Sequence, residues 1–107
     1  MIRVEVKQND NDEIIGFHVE GHAEYSEPGT DIICASVSAL VINCVNSVEH
    51  FTEVRFDLKT EEDGMIDFTL VDNPIPKDAN LLLLSLFLGL KKIEENYGTQ
   101  YVKLMET

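Results

Sequence analysis

Four stretches of this chain alternate apolar and polar side chains with a period of two, in two consecutive pairs, and each pair runs into a long helical pattern. Ile2, Val4 and Val6 alternate with Arg3, Glu5 and Lys7, and after an Asn9-Asp10-Asn11-Asp12 turn Ile15, Phe17 and Val19 alternate with Gly16, His18 and Glu20. Such alternation gives a strand one face to bury and one to solvate, and the short polar turn makes the pair a hairpin. Val54, Phe56 and Leu58 then alternate with Arg55, Asp57 and Lys59, Glu61-Glu62-Asp63-Gly64 turns the chain, and Ile66, Phe68 and Leu70 return. A first helix is predicted from about Asp31 to His50, with Thr30 or Asp31 as N-cap, and a second from about Lys77 to Asn96 after Asn73-Pro74-Ile75-Pro76. Tyr97-Gly98-Thr99 ends the second helix, and Gln100 to Met105 supplies a last strand. The order is ββαββαβ, an α/β chain of the α+β layered kind: helices packed on a mostly antiparallel mixed sheet.

A chain of 107 residues without an internal linker is one domain, 1–107, with enough apolar content (44%) for a real core. Its formal net charge of −12 repels phosphate backbones and anionic lipid, so nucleic acid is a poor candidate partner, and neither it nor a membrane surface is expected as a direct partner. The same charge suits a basic peptide, in a salt-dependent way. Met1 leads straight into a strand pattern, with no signal peptide. The longest apolar run, Leu81 to Leu90, includes Ser85 and Gly89 and is well short of a bilayer span. Two cysteines without a secretory signal point to a reducing cytoplasm and free thiols. Because Leu81 to Leu90 is apolar almost all round, one sheet face cannot absorb it. It reads as sheet packing plus a homodimer contact, with Gly89 permitting close approach.

The two cysteines differ in kind. Cys44 lies among Val41, Ile42 and Val45, deep in the predicted helix, where a thiol behaves as a small hydrophobe. Cys34 lies in the first turn, after a polar loop read at residues 23–30, in the positive end of the helix dipole and among unpaired backbone N–H groups that favour a thiolate. Small residues Ala35, Ser36, Ser38 and Ala39 leave room beside it. Among the histidines, His18 is placed on the solvent-exposed strand face and His50 near a helix C-terminus, where positive charge suits the dipole. His22 follows Gly21 at a strand end, and the strand–loop–helix unit can bring it to Cys34 as a Cys–His pair. A structural zinc site would want four ligands in paired spacing, so no metal is expected, and no phosphate-binding or dinucleotide fingerprint is present.

The segment GHAEYSEPGTDIICASVSALV, residues 21–41, resembles the ribosomal-processing cysteine protease (Prp) family. The motif is GHA followed by DIxCAxxS, with eleven residues between His22 and Cys34, and the element order agrees over the whole length. The resemblance implies a small homodimeric protease of the bacterial cytoplasm, needing no cofactor, that removes a short N-terminal extension from a large-subunit ribosomal protein. It makes Cys34 the nucleophile and His22 its base. The family's extensions end in apolar, aromatic-rich sequence, so an apolar slot is expected, with Ala35, Tyr25 and a partner subunit as candidates to form it.

Within that frame Asp31 either orients His22 or caps the helix. Ser38, four residues after Cys34, either lines the site or bonds back to a carbonyl. Gly21 is read as a hinge for His22 and the loop, and backbone N–H groups at or just after Cys34 as oxyanion donors. The competing reading is a non-catalytic dimeric domain that binds a basic ribosomal protein, with Cys34 a packing residue. Thiol redox sensing is disfavoured, since no resolving cysteine is close in sequence.

Overall fold

A computed structural model describes residues 1–27 and 30–106. The elements follow the expected order: β1 (Ile2–Gln8), β2 (Ile14–Glu20), α1 (Ile32–Phe51), β3 (Phe56–Thr60), β4 (Ile66–Leu70), α2 (Lys77–Tyr97) and β5 (Val102–Glu106). They build one five-stranded sheet in the order β3-β4-β2-β1-β5. Its pairs are antiparallel except β1 with β5, which the α2 crossover makes parallel. Pro28 and Gly29, which helped to mark the 23–30 loop in the sequence, lie outside the described residues.

Register puts the apolar alternates on one face. Val4 pairs with Val19, Val6 with Phe17, and Phe17 with Phe68, all buried. Phe68 stacks on Phe17 with ring centroids 5.2 Å apart, and Phe87 of α2 meets Phe17 edge-on at 6.3 Å. This face joins Ile33, Val37, Val41, Cys44 and Val48 of α1 and Ala79, Leu83, Leu86 and Leu90 of α2 in a single core. The helices touch closely at Gly89, where an added Cβ would meet Leu40 Cδ1 at 3.0 Å. The close approach that glycine allows is therefore between α2 and α1 of the same chain.

The opposite face of the sheet is polar, and it corrects the reading of His18. Instead of standing free in solvent, His18 is half-buried, with Nδ1 2.7 Å from Asp67 Oδ2 across the β2–β4 pair. Lys7 reaches the same aspartate at 2.6 Å and Thr69 at 2.8 Å. The Asp67 hydrogen bond raises the His18 pKa above 6.5, against the opposing effect of burial.

α1 is 20 residues long and holds an 18-residue window with a mean hydropathy of 1.7, enough by length and composition alone to cross a membrane. Here its buried residues face the sheet and α2. Ile42, close to Cys44 in sequence, is not among them: it is 51% exposed, while Val41 and Val48 are buried. α2 is likewise two-faced, with Leu81, Leu84 and Leu88 exposed opposite the buried Leu83, Leu86 and Leu90.

Candidate active site

The end of β2 and the start of α1 meet beside the first residue of β1. Gly21 turns the chain at φ +94°, and a Cβ there would collide with the Met1 carbonyl oxygen. Only glycine combines that backbone angle with that approach. His22 follows, exposed, and then Ala23, which is buried. The Ala23 N–H donates to Cys34 Sγ at 3.3 Å. A backbone donor is thus aimed at the thiol by the same three residues that present the histidine.

Asp31 ties the two segments together. Its Oδ1 accepts from Ile33 N at 3.0 Å and Cys34 N at 3.1 Å, the N-cap of α1. Its Oδ2 accepts from Tyr25 N at 3.0 Å and Ser26 N at 3.4 Å in the preceding loop. Burial alone would raise this carboxyl, but the bonds from Cys34, Tyr25, Ser26 and Ile33 outweigh it and hold its pKa below 3.8. Every hydrogen bond that Asp31 makes through its side chain among the described residues runs to backbone, so it caps the helix and gathers the loop.

A cavity of about 790 Å³ opens over this junction, lined by His22, Glu24, Ser26, Glu27, Asp31, Cys34, Ala35 and Ser38. It brings together four of the five residues singled out from sequence; the fifth, Gly21, turns the chain into it. Cys44 lies far from this chemistry. It is buried, its Sγ 3.7 Å from the Leu82 carbonyl oxygen, and burial pushes its thiol up to about 11. Both cysteines are free. Among the described residues no group of three or more His, Cys, Asp or Glu side chains could hold a metal ion.

The sequence model of the cysteine protease Prp family matches residues 1–103. The chain belongs to that family. It is 31% identical over 98 residues to the ribosomal processing cysteine protease Prp of Staphylococcus aureus (strain Mu50 / ATCC 700699), covering 92% of each chain. It is 31% identical over 101 residues to that of Bacillus subtilis (strain 168), covering 91% of this chain and 90% of the relative. The crystal structure of the essential S. aureus Prp in complex with a covalently linked product peptide superposes with a TM-score of 0.93 at 30% identity, over the whole of both chains. Two helices on a five-stranded mixed sheet is the architecture of a Prp, and the chain is a cysteine protease.

Several features of this Prp site depart from the sequence reading, decide between its alternatives or escaped it. The oxyanion donors expected at or just after Cys34 are already engaged: Cys34 N by Asp31 Oδ1, and Ala35 N by the Asp31 carbonyl at 3.1 Å. A good N-cap satisfies the very amides that a helix start would otherwise leave open. The donor at the sulfur is Ala23 N–H, and its one sequence signal is a small residue flanked by His22 and Glu24, both polar. Ser38 lines the cavity, whereas the back-bond to a carbonyl is made by Ser36, whose Oγ donates to the Ile32 oxygen at 2.7 Å. Of the two side chains of this chain named for an apolar slot, Ala35 lines the cavity, while Tyr25 packs its ring on Tyr97 and Tyr101.

Proposed function

We propose that this protease removes the N-terminal extension of a large-subunit ribosomal protein precursor in the cytoplasm, with Cys34 as nucleophile and His22 as its base. The observation that carries the reading is the shared cavity: Cys34 in the first turn of α1, a backbone N–H on its sulfur, and His22 on the same wall. The covalently linked product peptide in the S. aureus relative supports a covalent route.

Cys34 Sγ, its proton taken by His22, attacks the scissile carbonyl carbon to give a tetrahedral oxyanion. The oxyanion collapses, the C–N bond breaks, and protonated His22 delivers its proton to the leaving amine, leaving a thioester. His22 then takes a proton from water, which attacks the thioester and releases the new carboxylate with Cys34 restored. The Ala23 N–H is complementary to an electron-rich sulfur throughout. Glu24 and Glu27 on the cavity wall, within a chain of net charge −12, suit a basic precursor. The working unit is a homodimer joined through the exposed leucines of α2, and no nucleic acid takes part directly.

Cleavage of a purified precursor by wild type, Cys34→Ser, His22→Ala and Cys44→Ser tests this. Cys44→Ser is expected to cut at the wild-type rate. Cys34→Ser is expected to be inactive and His22→Ala slower by about a hundredfold to ten-thousandfold, both remaining folded. An intact extension with wild type, or undiminished cutting by Cys34→Ser, overturns the proposal.

A further inference from the structure

Between Gly21 and the start of α1 the chain runs along the cavity as a strap, of which residues 22–27, 30 and 31 are described. Glu24 and Ser26 face the cavity, but Tyr25 between them faces the other way. Its ring stands edge-on to Tyr101, with centroids 5.2 Å apart at 80°, and to Tyr97, at 5.9 Å and 82°. Both are favourable T-shaped arrangements. Tyr97 is the last residue of α2, and Tyr101 immediately precedes β5.

This aromatic contact shares a foundation with the other end of the strap. The Tyr101 carbonyl accepts from Ile2 N at 2.8 Å, and the neighbouring Met1 carbonyl is the group Gly21 lies against. The strap thus has two footholds on the β1–β5 edge, one at Gly21 and one at Tyr25; between them the Ala23 N–H reaches Cys34 Sγ, and His22 and Glu24 line the same cavity as that thiol. Glu24 has φ +57°, a left-handed angle that a residue with a Cβ keeps only when its surroundings impose it. Its neighbour Tyr25 is the residue fixed twice, by its ring and by its N–H to Asp31 Oδ2. Tyr25 and Tyr97 are 44% and 41% exposed, so these rings belong to the surface and can be changed without emptying the core.

We propose that Tyr25 is a positioning residue: its ring, docked on Tyr97 and Tyr101, holds the strap so that His22 and the Ala23 N–H stay at Cys34. The proposal rests on the dyad reading above and adds the part that sets its geometry. No hydroxyl of Tyr25 is involved; the ring edge and face carry the contact.

The test compares Tyr25→Ala, Tyr25→Phe, Tyr97→Ala and the Tyr25→Ala/Tyr97→Ala double variant, with Leu83→Ala as a variant weakened in the core alone. Amide hydrogen exchange across residues 22–26 is measured without substrate, and kcat and KM are measured on the precursor. Tyr25→Ala is expected to speed strap exchange about tenfold and lower kcat severalfold with KM little changed, as loss of two ring contacts implies. Tyr25→Phe keeps both near wild type, and the double variant is no slower than Tyr25→Ala, since the two rings act as one contact. Leu83→Ala loses melting temperature but keeps kcat. Unchanged strap exchange in Tyr25→Ala, a Tyr25→Phe as slow as Tyr25→Ala, additive losses in the double variant, or a kcat loss in Leu83→Ala as large as in Tyr25→Ala would each overturn the proposal. The exchange measurement does not depend on turnover, so failure of the strap contact and failure of the dyad are read separately.

Discussion

Asp31 serves two segments with one carboxylate, and only the ionised form can do so. Each oxygen faces two backbone N–H groups, Ile33 and Cys34 on one side and Tyr25 and Ser26 on the other. Asn in its place offers one accepting oxygen and one NH2, which would point donor at donor on one side. Asp31→Asn should therefore cost about 1–3 kcal/mol at neutral pH, as expected for a buried group that loses charge-assisted bonds. The sign with pH follows from its pKa, which lies below 3.8 in the folded chain. Above the unfolded value the folded and unfolded chains both carry the carboxylate, and the contribution is complete. As pH falls through that value the unfolded chain takes up the proton first, and the contribution drains away toward the folded pKa. The gap in denaturation free energy between wild type and Asp31→Asn should narrow steadily as pH falls below about 4. A gap that stays constant from neutral pH down to acid would mean that the ionised carboxylate is not what stabilises the junction.

At the scale of elements, α2 is the informative case because its leucines divide between two environments on one helix. Leu83 is fully buried and Leu84 is 45% exposed, one residue apart. Leu83→Ala should cost about 2–5 kcal/mol by the loss of buried volume and the cavity left behind. Leu84→Ala should change monomer stability by only about 0.5 kcal/mol, as surface substitutions do. Urea titration of both variants decides this, and equal losses would mean that the exposed face is not exposed in solution. The existence of these elements was legible in the sequence because each hairpin carries its own period-two signal and each helix its own caps and stops. What periodicity lacks is the partner. His18 was assigned to the correct face, but Asp67 lies 49 residues away, and only the β2–β4 register brings them together. The last strand begins at Val102 and not Gln100, because a turn at 98–101 ends with the Tyr101 carbonyl engaging Ile2 N. The site was legible to the extent that its residues sit at element ends, as His22 and Cys34 do. The donor on the sulfur and the ring contacts of Tyr25 are tertiary facts with no local signature.

The whole molecule sets two opposing demands on self-association. Leu81, Leu84 and Leu88 place three exposed leucines along one side of α2, and a second copy is the partner proposed for them. Against it stands a net charge of −12 on each chain, which repels a second copy at long range and is screened within about 10 Å at 0.1 M salt. Apolar burial is insensitive to modest salt, so the balance has a definite sign: adding salt should tighten the dimer, the reverse of its effect on capture of a basic precursor. Sedimentation equilibrium of wild type across about 0.05–0.5 M sodium chloride should show the dimer constant strengthening with salt. Leu88→Glu should abolish the dimer, because it sets a like charge from each copy into the seam and removes apolar burial that was to offset the repulsion. It should keep the monomer's fold, since Leu88 is 62% exposed. A wild type that stays monomeric at every salt concentration, or a Leu88→Glu chain that dimerises as well as wild type, would move the interface away from this face of α2. If the dimer weakens as salt rises, the contact is made by charged groups and not by the leucines.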